Sequence, residues 1–130
     1  MTITETITRT PRVLIVDDTD DARALLRIKL GVNGLYQVVG EAADGLEAVR
    51  QARVLQPELI ILDMAMPGMD GLEALPLLRD AAPGARVIVL TVFQPGALED
   101  QAMAAGADRY VVKGGRMRDL MNVIDDVLHV

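Results

Sequence analysis

Val13-Leu14-Ile15-Val16-Asp17-Asp18 is an unbroken aliphatic run that stops on two acids. Leu59-Ile60-Ile61-Leu62, Val87-Ile88-Val89-Leu90 and Tyr110-Val111-Val112 have the same texture, and Gln37-Val38-Val39-Gly40 is a weaker example. Continuous rather than alternating apolar residues predict strands buried on both faces, the pattern of a parallel sheet covered by helices. The intervening segments carry helical spacing. Ala22, Leu25, Leu26 and Leu30 form one stripe, with Gly31 as its stop. Asp44 is placed to cap a helix over 46–55, which Pro57 ends, and Asp70 to cap one from Leu72 to Ala81. A short helix is expected over Ala97–Ala105. Met117, Leu120, Met121, Ile124, Val127 and Leu128 mark the last. Five strand–helix units predict a single α/β domain on a doubly wound, five-stranded parallel sheet. Residues 1–10 are expected to be a flexible N-terminal tail and residues 11–130 the domain.

Composition narrows the function classes. A chain of 130 residues buries roughly two-thirds of its unfolded surface, so it needs no metal or disulfide staple. The absence of Cys removes disulfides, thiolate zinc sites and thiol catalysis. The single His, His129, rules out a multi-His metal site and reads as a solvated terminal residue. A net charge of −6, no Trp, one Phe and two Tyr make a poor nucleic-acid binder, since phosphate attraction and base stacking both lack their residues. No apolar run approaches the ~18–20 residues of a membrane span, and Met1–Thr10 has no apolar signal-peptide core. The expectation is a soluble, cytoplasmic domain.

In a doubly wound sheet, ligands bind outside the carboxyl ends of the strands at the point where strand order reverses. The first strand runs into Asp17-Asp18, the third ends in Asp63, the fourth in Thr91 and the fifth in Lys113. Most have a plain reading alone: Asp17 and Asp18 as the lead into a helix cap, Thr91 as a β-branched strand end, Lys113 as a solvated charge; Asp63, a lone carboxylate after a buried strand, has no obvious cap role. Together they have no plain reading, because four strands deliver polar groups to one edge. Two carboxylates ~4 Å apart repel by about 4 kcal/mol at an effective dielectric near 20. Three acids in one crevice therefore call for a cation, and oxygen ligands without His or Cys point to Mg²⁺ or a similar hard ion. An ionised Asp there can attack phosphorus to form an aspartyl phosphate. Lys113 and the Thr91 hydroxyl would meet the transferred oxygens.

The set Asp17-Asp18, Asp63, Thr91 and Lys113, with the loop Met66-Pro67-Gly68-Met69-Asp70-Gly71, resembles a two-component response regulator receiver domain. The resemblance runs from Arg12 to Val130 and implies a flavodoxin-like (βα)5 sheet of order 2-1-3-4-5. It implies Asp63 as phosphoacceptor, with Thr91 and Lys113 in catalytic roles. Mg²⁺ would be held by Asp18, Asp63 and the Ala65 carbonyl, with Asp17 acting through water. Thr91 and Tyr110 would be the switch pair. The implied donor is a sensor histidine kinase or phosphotransfer protein, and a homodimer on activation is possible within the family. The stretches VVGEAADGLEAV, PGARVIVLT and AGADRYVVKGG are similar to the NarL/FixJ-like subfamily, whose receivers usually carry a helix-turn-helix output domain. No such domain follows here, so either a stand-alone receiver or an excised fragment is expected, without direct nucleic-acid or membrane binding.

Some features depart from the family pattern. Gly114-Gly115 follows Lys113 where many receivers have a cis-Pro, and Val92 follows Thr91 where a smaller residue is common and is expected to narrow access. The plainer alternative for Tyr110 packs it against the last helix with its hydroxyl in water. Three rival functions share parts of the pattern. A haloacid-dehalogenase-like phosphatase wants Asp-x-Asp-x-Thr after the first strand, and Asp18-Thr19-Asp20-Asp21-Ala22 lacks the final Thr. A flavodoxin-like flavin binder would hold phosphate on a Ser/Thr/Gly-rich loop, which the acids here repel. A degenerate receiver acting only as a binding module would have no need for the complete acid set.

Overall fold

The computed structural model describes residues 10–128. Strands β1 (Arg12–Val16), β2 (Gln37–Ala42), β3 (Leu59–Leu62), β4 (Arg86–Thr91) and β5 (Arg109–Val112) form one sheet in the order β2-β1-β3-β4-β5. All four pairings are parallel. They alternate with helices α1 (Asp20–Gly31), α2 (Gly45–Leu55), α3 (Gly71–Ala81), α4 (Ala97–Ala104) and α5 (Met117–Leu128). The expected tail, save Thr10, and His129 lie outside the described residues. Among the described residues no helix is long and apolar enough to cross a membrane.

The period-two alternation of strand side chains sorts the core into two layers. Leu14, Val16, Ile60, Leu62, Val87 and Val89 meet Ala48, Val49 and Ala52 of α2, Ala74, Leu75 and Leu78 of α3, and Ala102 of α4. Val13, Ile15, Leu59, Ile61, Ile88 and Leu90 face the other way, onto Leu26 and Leu30 of α1 and Leu120, Ile124 and Val127 of α5. Removing each of the Val, Leu and Ile side chains from water stabilises by about 2 kcal/mol. Both faces are thus covered, which is why the strands read as continuous apolar runs.

Element boundaries differ from the periodicity for local reasons. β2 continues past Gly40 to Ala42 because β1 supplies a partner as far as Val16. Gly31 is the last residue of α1 but keeps right-handed φ (−79°), and a 3₁₀ turn over Val32–Gly34 follows. α2 stops before Pro57 because Gln56 takes the left-handed conformation (φ 48°), where its amide donates to the carbonyls of Ala52, Arg53 and Ala81. Asp44 and Asp70 cap as expected, Asp70 in a reciprocal box with Glu73. Pro76 sits inside α3 on its exposed face, where water can serve the carbonyl left unpaired.

The chain leaves β1 for β2 on one side and then crosses to β3 on the other. The strand-order reversal therefore falls between the ends of β1 and β3. Asp17-Asp18 and Asp63 sit at those two ends.

Candidate functional site

Main-chain bonds beyond the strand ends carry the sheet's order into the acids. The Asp17 N–H donates to the Ala42 carbonyl (3.0 Å), the Asp63 N–H to Val16 (2.9 Å), and the Lys113 N–H to Thr91 (2.7 Å). Asp17 is 2% exposed and Asp63 6%, while Asp18 lies at the open rim. Carboxylate oxygens of all three lie within 4.8 Å of one another. Neither Asp17 nor Asp18 caps α1, whose N-cap is Thr19 without a side-chain bond.

Asp17 is tied at every polar atom. Its Oδ1 accepts from the Thr19 N–H (2.9 Å), its Oδ2 from Lys113 Nζ (2.6 Å), and its carbonyl from Arg23 Nη1 (2.6 Å). Asp63 is held more loosely. Its Oδ1 accepts from the Ala65 N–H at 3.3 Å, and its Oδ2 lies 3.4 Å from Lys113 Nζ. Sequence reasoning places Lys113 beside the acids but does not foresee that it is closer to Asp17 than to Asp63.

Gly71 explains how the loop after β3 stays tight. A Cβ on Gly71 would lie 2.3 Å from the Asp63 carbonyl, so any side chain would push the start of α3 away from the acid. The Gly71 N–H also donates to the Met64 carbonyl (3.0 Å). Gly114 adopts φ +100°, which favours glycine, and no cis peptide occurs among the described residues. The loop after Lys113 therefore turns by a glycine conformation in place of a cis-Pro. Val92, directly after Thr91, is 62% exposed.

Thr91 is fully buried at the end of β4, and its Oγ1 has no hydrogen-bond partner among the described residues. Such a hydroxyl is unusual, because an unpaired buried donor costs roughly 1–3 kcal/mol. Tyr110 does not pack on the last helix as the plainer alternative supposed. It lies against the layer formed with α2, α3 and α4, and its hydroxyl donates to the Phe93 carbonyl (3.0 Å). Beside Asp17 and Lys113, an apolar cavity of about 320 Å³ opens between Ala22, Leu25 and Leu26 of α1 and Met117 and Leu120 of α5.

The donor set fits a hard divalent ion, since it is all carboxylate and the acids repel one another. At 4.8 Å and an effective dielectric near 20, each pair costs about 3.5 kcal/mol. Lys113 relieves part of this. Burial pulls its ammonium down, but the Asp17 hydrogen bond and the neighbouring Asp63 and Asp17 charges outweigh that and raise its pKa. Tyr36, 7% exposed, donates to Asp125 (2.5 Å). Burial first, then that bond and the Asp125 charge, raise its hydroxyl pKa as well. Both groups hold their protons more tightly when folded. Their contribution is complete below the ordinary values of about 10 for Tyr and about 10.4 for Lys, and is lost as pH rises through the folded values. Urea unfolding should give level stability up to about pH 10 and a decline above it, shallower for Tyr36→Phe. A level profile across that range would contradict both pairings.

Arg23 and Glu41 are site residues that sequence reasoning missed. A signal was present, since a cation in the first turn of a helix opposes the helix dipole and needs a partner.

Comparison with known proteins agrees with this geometry. The family model of the response regulator receiver domain matches residues 13–125. The response regulator GacA of Pseudomonas viridiflava is 37% identical over 114 residues, covering 87% of this chain and 53% of that protein. Among solved structures, the response regulator domain of Thermotoga maritima CheB superposes with TM-score 0.85 at 32% identity, covering 94% of this chain and 98% of that one. A LuxR-family two-component response regulator from Aurantimonas gives TM-score 0.87 at 34% identity, covering 93% and 86%. The chain spans about half the length of the curated response regulators it matches.

Proposed function

Because the chain belongs to the response regulator receiver domains, we propose that Asp63 is its phosphoacceptor, with a histidine kinase or phosphotransfer protein as donor. The observation that carries this reading is the convergence of Asp17, Asp18 and Asp63 with Lys113 at the strand-order reversal. An Asp63 carboxylate oxygen forms a bond to phosphorus as the phosphohistidine N–P bond breaks, and the departing imidazole is protonated from solvent. Asp18, Asp63 and the Ala65 carbonyl would hold Mg²⁺, with Asp17 acting through water, and the ion would supply Lewis-acid charge neutralisation when bound. Lys113 turns from Asp17 toward the transferred group, and the unpaired Thr91 hydroxyl supplies a neutral donor. The apolar cavity beside Asp17 and Lys113 gives a phosphohistidine-bearing partner a surface next to the acid. In this reading the domain occupies residues 11–130, acts in the cytoplasm, and catalyses nothing beyond its own phosphorylation and dephosphorylation. The phosphatase and flavin-binder readings fall with the family match. A binding-only role finds no support, since the acids and the lysine are all in place.

The switch follows from Thr91 and Tyr110. Phosphorylation adds negative charge and three acceptor oxygens, toward which the Thr91 hydroxyl moves. That frees space beside β5, and the Tyr110 ring leaves the Phe93 carbonyl for an inward rotamer. The altered surface is α4, β5 and α5, where a partner or second copy would dock. One or two charge-assisted hydrogen bonds contribute about 1.5–3 kcal/mol each. A complete reversal from 1:99 to 99:1 takes about 5.5 kcal/mol, so a partial shift is expected. NMR with beryllofluoride and Mg²⁺ tests both steps. Wild type should show shifts at Asp63, Thr91 and the Tyr110 ring, and Thr91→Ala should bind yet lose the Tyr110 shift. No response in wild type refutes the phosphoacceptor reading; a full Tyr110 shift in Thr91→Ala refutes the coupling.

A further inference from the structure

We propose that Arg23 is the positioning residue of the acid site, fixing the peptide that joins Asp17 to Asp18 while its charge is matched by Glu41 and Asp20. The inference rests on the reading that these acids hold Mg²⁺. Arg23 lies in the first turn of α1, where the helix dipole disfavours a cation, yet its side chain is only 14% exposed. Its three nitrogens have separate tasks. Nη1 donates to the Asp17 carbonyl (2.6 Å), Nη2 pairs with Asp20, and Nε lies 3.3 Å from Glu41 Oε1. Glu41, near the end of β2, is also held by Arg27 (2.5 Å).

The Asp17 carbonyl belongs to the peptide linking the two acids. A peptide is planar, so fixing its carbonyl also fixes the Asp18 nitrogen and the direction in which the Asp18 chain departs. Since the Asp17 N–H is already bound to Ala42, Arg23 completes a two-sided clamp on the Asp17 backbone. A bare guanidinium so near the acids would repel a divalent cation. Glu41 and Asp20 offset that charge, leaving the directional bond as the main effect. Positioning and repulsion have opposite signs, so one measurement separates them.

The test is an amide NMR titration with Mg²⁺ alone. Loss of an outer-shell partner typically weakens metal binding 10–100-fold, and Arg23→Ala should lose about tenfold. Arg23→Lys keeps the charge but cannot serve three partners, so it should show an intermediate loss and decides the case if Arg23→Ala does not fold. Arg27→Ala, which does not touch Asp17, should stay within about twofold, as for an exposed ion pair. Glu41→Gln uncovers the Arg23 charge, so its loss should shrink as salt rises, while that of Arg23→Ala should not. Mg²⁺ binding by Arg23→Ala or Arg23→Lys at wild-type strength or tighter overturns the inference. A wild type that does not respond to Mg²⁺ overturns instead the reading beneath it.

Discussion

Asp63→Asn will take up no phosphoryl group from acetyl phosphate and Mg²⁺ under conditions where the wild-type chain takes up one. The three acids are not equivalent nucleophiles. The carboxylate oxygens of Asp17 are held closely, by the Thr19 N–H (2.9 Å) and Lys113 (2.6 Å), whereas those of Asp63 have partners only at 3.3 and 3.4 Å. Asp18 lies exposed at the rim, outside the enclosed part of the crevice. Asp63 is buried, directly follows the strand that lies between β1 and β4, and has Lys113 at 3.4 Å from its Oδ2. Asparagine keeps the size but has no carboxylate to attack phosphorus. It also removes one of three mutually repelling charges, so the variant should fold, and circular dichroism will show that lost labelling is not lost structure. Intact-mass spectrometry gives the answer directly. Equal labelling of both proteins would mean that another group accepts the phosphoryl.

Lys113→Ala should produce two separable losses. Without Mg²⁺, it leaves Asp17 buried with no cation, and removing one partner of a buried pair typically costs about 3–5 kcal/mol. Lys113 is itself partly exposed, so the lower end, about 3 kcal/mol, is expected. Added Mg²⁺ should restore part of this, because a ligand that binds only the folded chain stabilises it by mass action. Labelling by acetyl phosphate should also slow, about 100-fold, as for the loss of one charge-stabilising donor. Urea unfolding with and without Mg²⁺ measures the first loss, and the labelling rate at saturating Mg²⁺ measures the second. A variant as stable as wild type without Mg²⁺ would show that Lys113 does not neutralise the acids.

Much of the site is legible in the order of residues. Parallel strands bring their carboxyl ends to one edge, so a polar residue directly after an apolar run is located by the run itself. Asp17, Asp18, Asp63, Thr91 and Lys113 are all located this way. Tyr110 is legible as a residue of β5, but its neighbour is not. The sequence offers no reason to pair it with the Phe93 carbonyl and not with α5. Arg23 carries a signal in its first-turn position, but nothing local names its partner Glu41, which arrives from β2.

What the chain's order of residues determines by itself is the sheet, its two covered faces and the edge at which chemistry collects. These follow from local periodicity, which dictates the direction in which each side chain leaves the backbone. Only the tertiary structure decides that Lys113 lies nearer Asp17, 96 residues away in sequence, than Asp63, 50 residues away. It alone leaves the Thr91 hydroxyl without a partner, and brings Gly71 so close to the Asp63 carbonyl that no side chain fits. The physical reason is range: periodicity acts over a few residues, while hydrogen bonds and contacts are settled within fractions of an ångström by how distant elements pack.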